Sequence, residues 1–197
     1  NAVVEPGTGL TLTTVSAGSA FYMGNNPEAQ GTHAPPAFAR FDPDEQHKDF
    51  RDEASRRLGR PVSYSESSAF WMKEALTWMR SHPEDYRKLL KLKWDLFWNY
   101  VESPDSAPGF VMERMMRLFG LPLLRWGLIA PLAVAGLIAG FRRDRRVVLL
   151  YLYLAAYLAA SLGFFVLSRY RYPVAPVLFL FAGLAVWRIV RGFRTGR

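Results

Sequence analysis

Between positions 147 and 167 the chain reads VVLLYLYLAAYLAASLGFFVL, twenty-one residues without a charge. At about 1.5 Å per residue a helix of that length is about 31 Å long, enough to cross the hydrocarbon core of a bilayer. A second apolar run, VAPVLFLFAGLAVW over 174–187, follows after only the six residues SRYRYP at 168–173. An earlier apolar stretch starts near 123, with Arg125 placed to snorkel. Three transmembrane helices are therefore expected, at about 123–141, 147–167 and 173–190. Arg169 and Arg171 then sit at a bilayer surface, and what they face there becomes the functional question.

The distribution of charge sets the topology. Residues 1–117 carry 14 Lys and Arg against 16 Asp and Glu, whereas residues 118–197 carry 11 Arg against the single Asp144. The basic excess thus lies entirely in the apolar part, which argues for a membrane and against nucleic acid as the partner of the net charge of +8. Four arginines crowd RRDRR at 142–146, and Arg188, Arg191, Arg194 and Arg197 follow the last run. The positive-inside rule puts both groups on the cytoplasmic side. Three crossings then leave SRYRYP and residues 1–117 outside, in a multi-pass protein of the inner or plasma membrane with a cytoplasmic C-terminus. There is no cysteine, so disulfides, thiolate chemistry and Cys-ligated metals are excluded. The chain opens at Asn1 in mid-pattern, and it is expected to be the C-terminal piece of a longer protein.

The first 117 residues read as a small extracytoplasmic α/β portion. Thr, Val and aromatic residues with partial alternation over 9–23 suggest one or two short strands, and GNNP at 24–27 a turn. A helix is expected from Asp42 or Pro43, ending near Arg56 and Arg57 with Gly59 as its C-cap. Ser63 and Glu66 form a capping-box pattern opening a second helix, whose stripe is Met72, Ala75, Leu76 and Met79. Pro83 should stop it at Ser81 and His82, then open a third helix lined by Tyr86, Leu90, Trp94, Phe97 and Val101. Its Lys88, Lys91 and Lys93 interleave with Trp94 and Trp98, which suits either a helix at headgroup level or a solvated lysine face. A linker at 103–109 and the amphipathic FVMERMMRL lead to the membrane.

Few residues offer chemistry. His33, His47 and His82 lack ligand spacing, so no metal site is expected. Acidic pairs at Asp42/Asp44, Asp52/Glu53 and Glu84/Asp85 fall on helices, two of them at N-termini where they match the dipole. SYSESS has no partnered His, and the glycines of GTG and GNN make no phosphate loop. SRYRYP remains. Arg and Tyr at headgroup level can act as plain anchors, but these arginines lie on the face where positive charge is sparse, between two short connections. A guanidinium there is suited to a phosphate, through its fork of donors and its permanent charge. The expected lipid-phosphate ligands are Arg169, Arg171 and Tyr170. On an α-helix the two arginines would point about 200° apart, so one of them is expected to bind.

The order of AFYMGNNPEAQGTH at 20–33, LGRP at 58–61, SHP at 81–83, FWN at 97–99 and LSRYRYPVAPVLFLFAG at 167–183 resembles the C-terminal half of bacterial membrane glycosyltransferases of family 39. That family belongs to the GT-C class, with the protein O-mannosyltransferases and the lipid A aminoarabinose transferases. The resemblance implies transfer of a sugar from a polyprenyl-phosphate-linked donor to an extracytoplasmic acceptor, without a cofactor, and makes Asn25 and Asn26 candidates for an active-site loop. Ser19 and Ala20 depart from the family's Gly-Gly, Asn-Phe-Tyr pattern. The presumed acidic base of the family lies in a first extracytoplasmic loop that has no counterpart here, so no catalytic residue is assigned and the fragment is expected to be inactive alone. The alternatives are a non-catalytic, membrane-anchored binding or scaffold module and a transporter subunit; the few polar residues of 147–167, Tyr151, Tyr153, Tyr157 and Ser161, disfavour the latter.

Overall fold

The computed structural model describes residues 16–98, 126–141 and 145–195. Among the described residues it is built of α-helices with one short 3₁₀ turn and has no strand. The mainly α expectation holds, and the α/β portion is corrected. The chain divides into two compact units, residues 1–92 with 163–165, and residues 93–162 with 166–197.

The first unit holds α1 (Ala17–Gly24), α2 (Pro43–Leu58), α3 (Tyr64–Ser81) and the start of α4 (Pro83–Trp98). Residues expected as strand are helical from Ala17; positions 9–15, where the alternation lies, are outside the described residues. Ala17, Gly18, Ser19 and Ala20 give α1 a small-residue surface that packs on α3, where the Gly18 N–H donates to Ser68 Oγ at 2.9 Å. That tertiary contact outweighs the β-propensity of the stretch. α2 carries the expected acidic start and basic end, and Gly59 follows it with φ +68°, a left-handed stop that suits glycine. At α3 the capping box is complete: Ser63 Oγ accepts from the Glu66 N–H at 3.2 Å, and Glu66 Oε2 accepts from the Ser63 N–H at 2.9 Å. The helix ends at Ser81, ahead of Pro83, as expected.

The buried stripe of α3 is Ser67, Trp71 and Ala75: Ala75 is buried as expected, whereas Met72, Leu76 and Met79 are only partly buried and Ser67 and Trp71 take the centre. Trp71 is fully buried, stacked on Phe38 at 5.1 Å and edge-on to Phe50 at 5.2 Å, with its indole N–H donating to the Phe50 carbonyl at 2.9 Å. Arg57 lies over its ring at 4.9 Å. Outside this core the charged side chains pair with one another, as in Arg40 with Asp49 at 2.7 Å and Arg56 with Glu53 at 2.6 Å.

The second unit holds the end of α4, then α5 (Trp126–Gly140), α6 (Arg145–Gly163), a 3₁₀ turn (Ser168–Arg171) and α7 (Ala175–Thr195). Its core joins Phe97, Ala133, Val166, Val174, Leu178 and Ala182. α5 and α7 meet backbone to backbone: a Cβ on Gly136 would lie 1.8 Å from the Phe181 carbonyl oxygen, so only glycine permits this approach. Tyr151 on α6 donates its hydroxyl to the Leu137 carbonyl of α5 at 2.6 Å. Large apolar side chains face outward on all three helices, among them Ile138, Leu149, Leu152, Leu180 and Phe193.

Over Ala175–Arg194 α7 is long and apolar enough to cross a membrane, the one such helix among the described residues. α5 and the apolar Val147–Gly163 part of α6 are shorter, so three full-length spans are not what the helices themselves provide. α6 stops at Gly163 rather than running to Leu167, because a side-chain donor replaces a helix amide at its end: Lys93 Nζ takes the Leu162 carbonyl at 3.0 Å.

Candidate functional site

The arginine-bearing stretch forms a 3₁₀ turn, in which the Tyr170 N–H donates to the Leu167 carbonyl at 3.0 Å. Pro173, two residues past the turn, gives its carbonyl to the Tyr153 hydroxyl at 2.9 Å. That bond ties the start of the last helix to α6. Arg169 lies on the turn, Tyr170 is half-buried, and Tyr172 is exposed.

Arg171 is 4% exposed. Its Nη2 donates to the Leu96 carbonyl at 2.5 Å, and its guanidinium lies over the Trp126 ring at 5.3 Å. Leu96 is in the last turn of α4, where helix carbonyls lack intrahelical donors and the dipole is negative, so a cation is well matched there. Trp98 and Trp126 stack beside one another at 6.2 Å, and the indole N–H of each is buried without a hydrogen-bond acceptor among the described residues. The surroundings of Arg171 are therefore aromatic, with two further N–H donors beside the helix-end carbonyl that receives the guanidinium.

Asn25 and Asn26 occupy the end of α1. The Asn25 side-chain amide donates to Phe21 O and Gly163 O, both at 2.8 Å. That of Asn26 donates to Tyr22 O at 2.8 Å, while its Oδ1 accepts from the Glu28 N–H at 2.7 Å. Both residues hold backbone: the first joins α1 to the 163–165 strip, and the second shapes the turn that follows. The structure brings Arg171 together with Trp126 and Leu96 in the second unit, and Asn25 with Asn26 in the first.

Sequence reasoning overlooked Lys93. It was placed with Lys88 and Lys91 on an outer face, yet its side chain is fully buried, and Trp94, expected inside, is 47% exposed. Burial pushes the Lys93 ammonium down to about 8. The signal was available: Leu89, Lys93 and Phe97 recur every four residues, and all three are buried. Val101, expected on the same stripe, is outside the described residues.

No group of His, Asp and Glu among the described residues could hold a metal ion. An open depression among the described residues, lined by Arg51, Ser55, Arg56 and Arg60 among others, has arginines engaged by Asp52, Glu53 and Glu66. Comparison with known proteins finds no matching family model, no matching curated protein and no matching solved structure.

Proposed function

We propose that this chain is the C-terminal part of an integral-membrane glycosyltransferase of the GT-C class, moving a sugar from a polyprenyl-phosphate carrier to an extracytoplasmic acceptor. The observation that carries the reading is the seat of the 168–171 turn: two arginines between apolar helices, one of them buried against Leu96 O and Trp126 in donor-rich surroundings. The outward apolar faces of α5, α6 and α7 support a lipid environment for all three. On this reading they cross as a set, with flanking residues completing the shorter two, and residues 1–117 lie outside.

The chemistry follows from charge. As the acceptor attacks the anomeric carbon, its proton passes to a base outside this chain and the bond from sugar to phosphate breaks, so the departing phosphate gains negative charge. A fixed guanidinium stabilises that charge most in the transition state. Arg171 is already built into the fold, so the phosphate is assigned to Arg169, with the half-buried Tyr170 next to it in the turn. Asn25 and Asn26, the other candidates, hold the backbone of the turn after α1.

A second reading, a non-catalytic membrane-anchored scaffold, draws on α7 being the one described helix long enough to span alone. The two part on a transfer assay with the complete membrane-inserted enzyme and a radiolabelled polyprenyl-phosphate sugar. Arg169→Ala is expected to lower kcat about 10²–10³-fold at unchanged membrane abundance. Wild-type turnover in that variant would remove the phosphate role.

A further inference from the structure

A lysine with no solvent exposure needs a reason, because burying an ammonium is costly unless its donors are used. Lys93 donates to the Leu162 carbonyl, one of the last four of α6, which have no amide partner within the helix. Three residues further along α4, the Leu96 carbonyl receives Arg171 Nη2. These two positions are about 4.5 Å apart along the helix axis. One turn of α4 therefore reaches out to residue 162 with a donor and receives residue 171 with an acceptor, and Arg169 belongs to the connection so fastened.

We infer that Lys93 is a positioning residue: together with Arg171 it pins both ends of the connection between α6 and the 3₁₀ turn to one turn of α4, and so fixes the backbone that carries Arg169, the residue proposed above to meet the departing phosphate. Each bond is of the kind that sets geometry, a cation on the carbonyl end of a helix, where charge and dipole agree. Lys93 itself touches no substrate. The catalytic part of this inference rests on the transferase reading above, while the pinning does not.

The experiment compares Lys93→Met, Lys93→Arg and Arg171→Met in the complete membrane protein, reading hydrogen exchange at the amides of 166–171 and the kcat and KM for the lipid-linked donor. Lys93→Met keeps the length of the side chain and removes its donors. It is expected to speed exchange at 166–171 by about tenfold or more, as loss of a buried charge-assisted hydrogen bond does. kcat should fall by up to about 100-fold, the size expected when a reacting group is displaced by about an ångström. Arg171→Met opens the same amides from the other end, so it reports even if Lys93→Met does not accumulate. Lys93→Arg retains a donor and should recover much of the protection; a role in filling space alone would favour Met over Arg. In an Arg169→Ala background Lys93→Met should cost no further kcat. Unchanged exchange in both Met variants overturns the pinning, and an undiminished kcat effect in the Arg169→Ala background overturns the link to Arg169. If Arg169→Ala alone turns over normally, the transferase reading falls while the exchange result still decides the pinning.

Discussion

The two units place the same residue types on opposite sides. In the first, aromatic side chains close around Trp71 and the surface is a lattice of ion pairs, such as Glu53 with Arg56 and Arg57. In the second, Ile138, Leu149, Leu180 and Phe193 face outward, while Ala133 and Gly136 make the helix contact and the buried cations Lys93 and Arg171 hold helix ends. The first arrangement is what water selects through the hydrophobic effect. On the proposed membrane reading the second is what hydrocarbon permits, since aliphatic side chains gain little by turning inward there and close packing of small residues takes over. On that reading the contrast gives the outward apolar surface and the inward cations one physical origin, a surrounding lipid.

The largest expected effect lies in the first unit. Trp71→Ala removes a fully buried ring and one of the two side-chain donors to the Phe50 carbonyl, and should destabilise that unit by about 3–5 kcal/mol, measured by denaturant titration with a ¹⁹F-labelled tryptophan at position 78 as probe. Unchanged stability would break the picture of an aromatic core. Val134→Lys tests the second unit from outside. Val134 is on the exposed face of α5, and a lysine there should raise the free energy of insertion by about 2.5–3.5 kcal/mol if α5 crosses the bilayer near its centre. A glycosylation-based insertion assay reads it, and insertion as efficient as wild type would take α5 out of the membrane.

Acid and base separate the units more gently. Arg40 holds the Asp49 carboxyl down at about 2, and Arg56 does the same for Glu53. Carboxylates depressed in the folded state stabilise it above their ordinary range, and that contribution disappears as pH falls from about 4.5 through 2. Lys93 works in the opposite window. Its folded value near 8 lies below its ordinary 10.5, so between the two the unfolded chain binds more protons and the second unit should gain stability as pH rises from about 8 to 10.5. ¹⁹F-tryptophan resonances of Trp71 and Trp126, followed through denaturation at each pH, separate the two. Parallel shifts at both positions would contradict the assignment of these groups to different units.

Helix punctuation was legible in the sequence because its signals are local: the Ser63/Glu66 box, the His82-Pro83 boundary and Gly59 all work within a few residues of themselves. The faces of helices were less so. Met72, Leu76 and Met79 look more apolar than Ser67, yet Ser67 and Trp71 are the buried pair because both reach the Phe50 carbonyl, a long-range partner. α1 reads as strand until α3 is there to receive Gly18. Lys93 reads as surface because the carbonyl that justifies its burial is 69 residues away in sequence. At the candidate site the pair of arginines was evident, while the Leu96 and Trp126 contacts of Arg171, made far away in sequence, were not.

The central claim is that the second unit is a three-helix membrane element which presents its arginine turn on the outer side. These 197 residues contain no cysteine, so single cysteines placed at Arg143 and at the exposed Tyr172, with any cysteine elsewhere in the expressed protein replaced by serine, can be labelled alone in intact cells. A membrane-impermeant maleimide should modify Tyr172→Cys from outside and reach Arg143→Cys only after the membrane is opened. Labelling of both from the same side would contradict the crossing of α6 between them, and with it the placement of Arg169 at an extracytoplasmic phosphate.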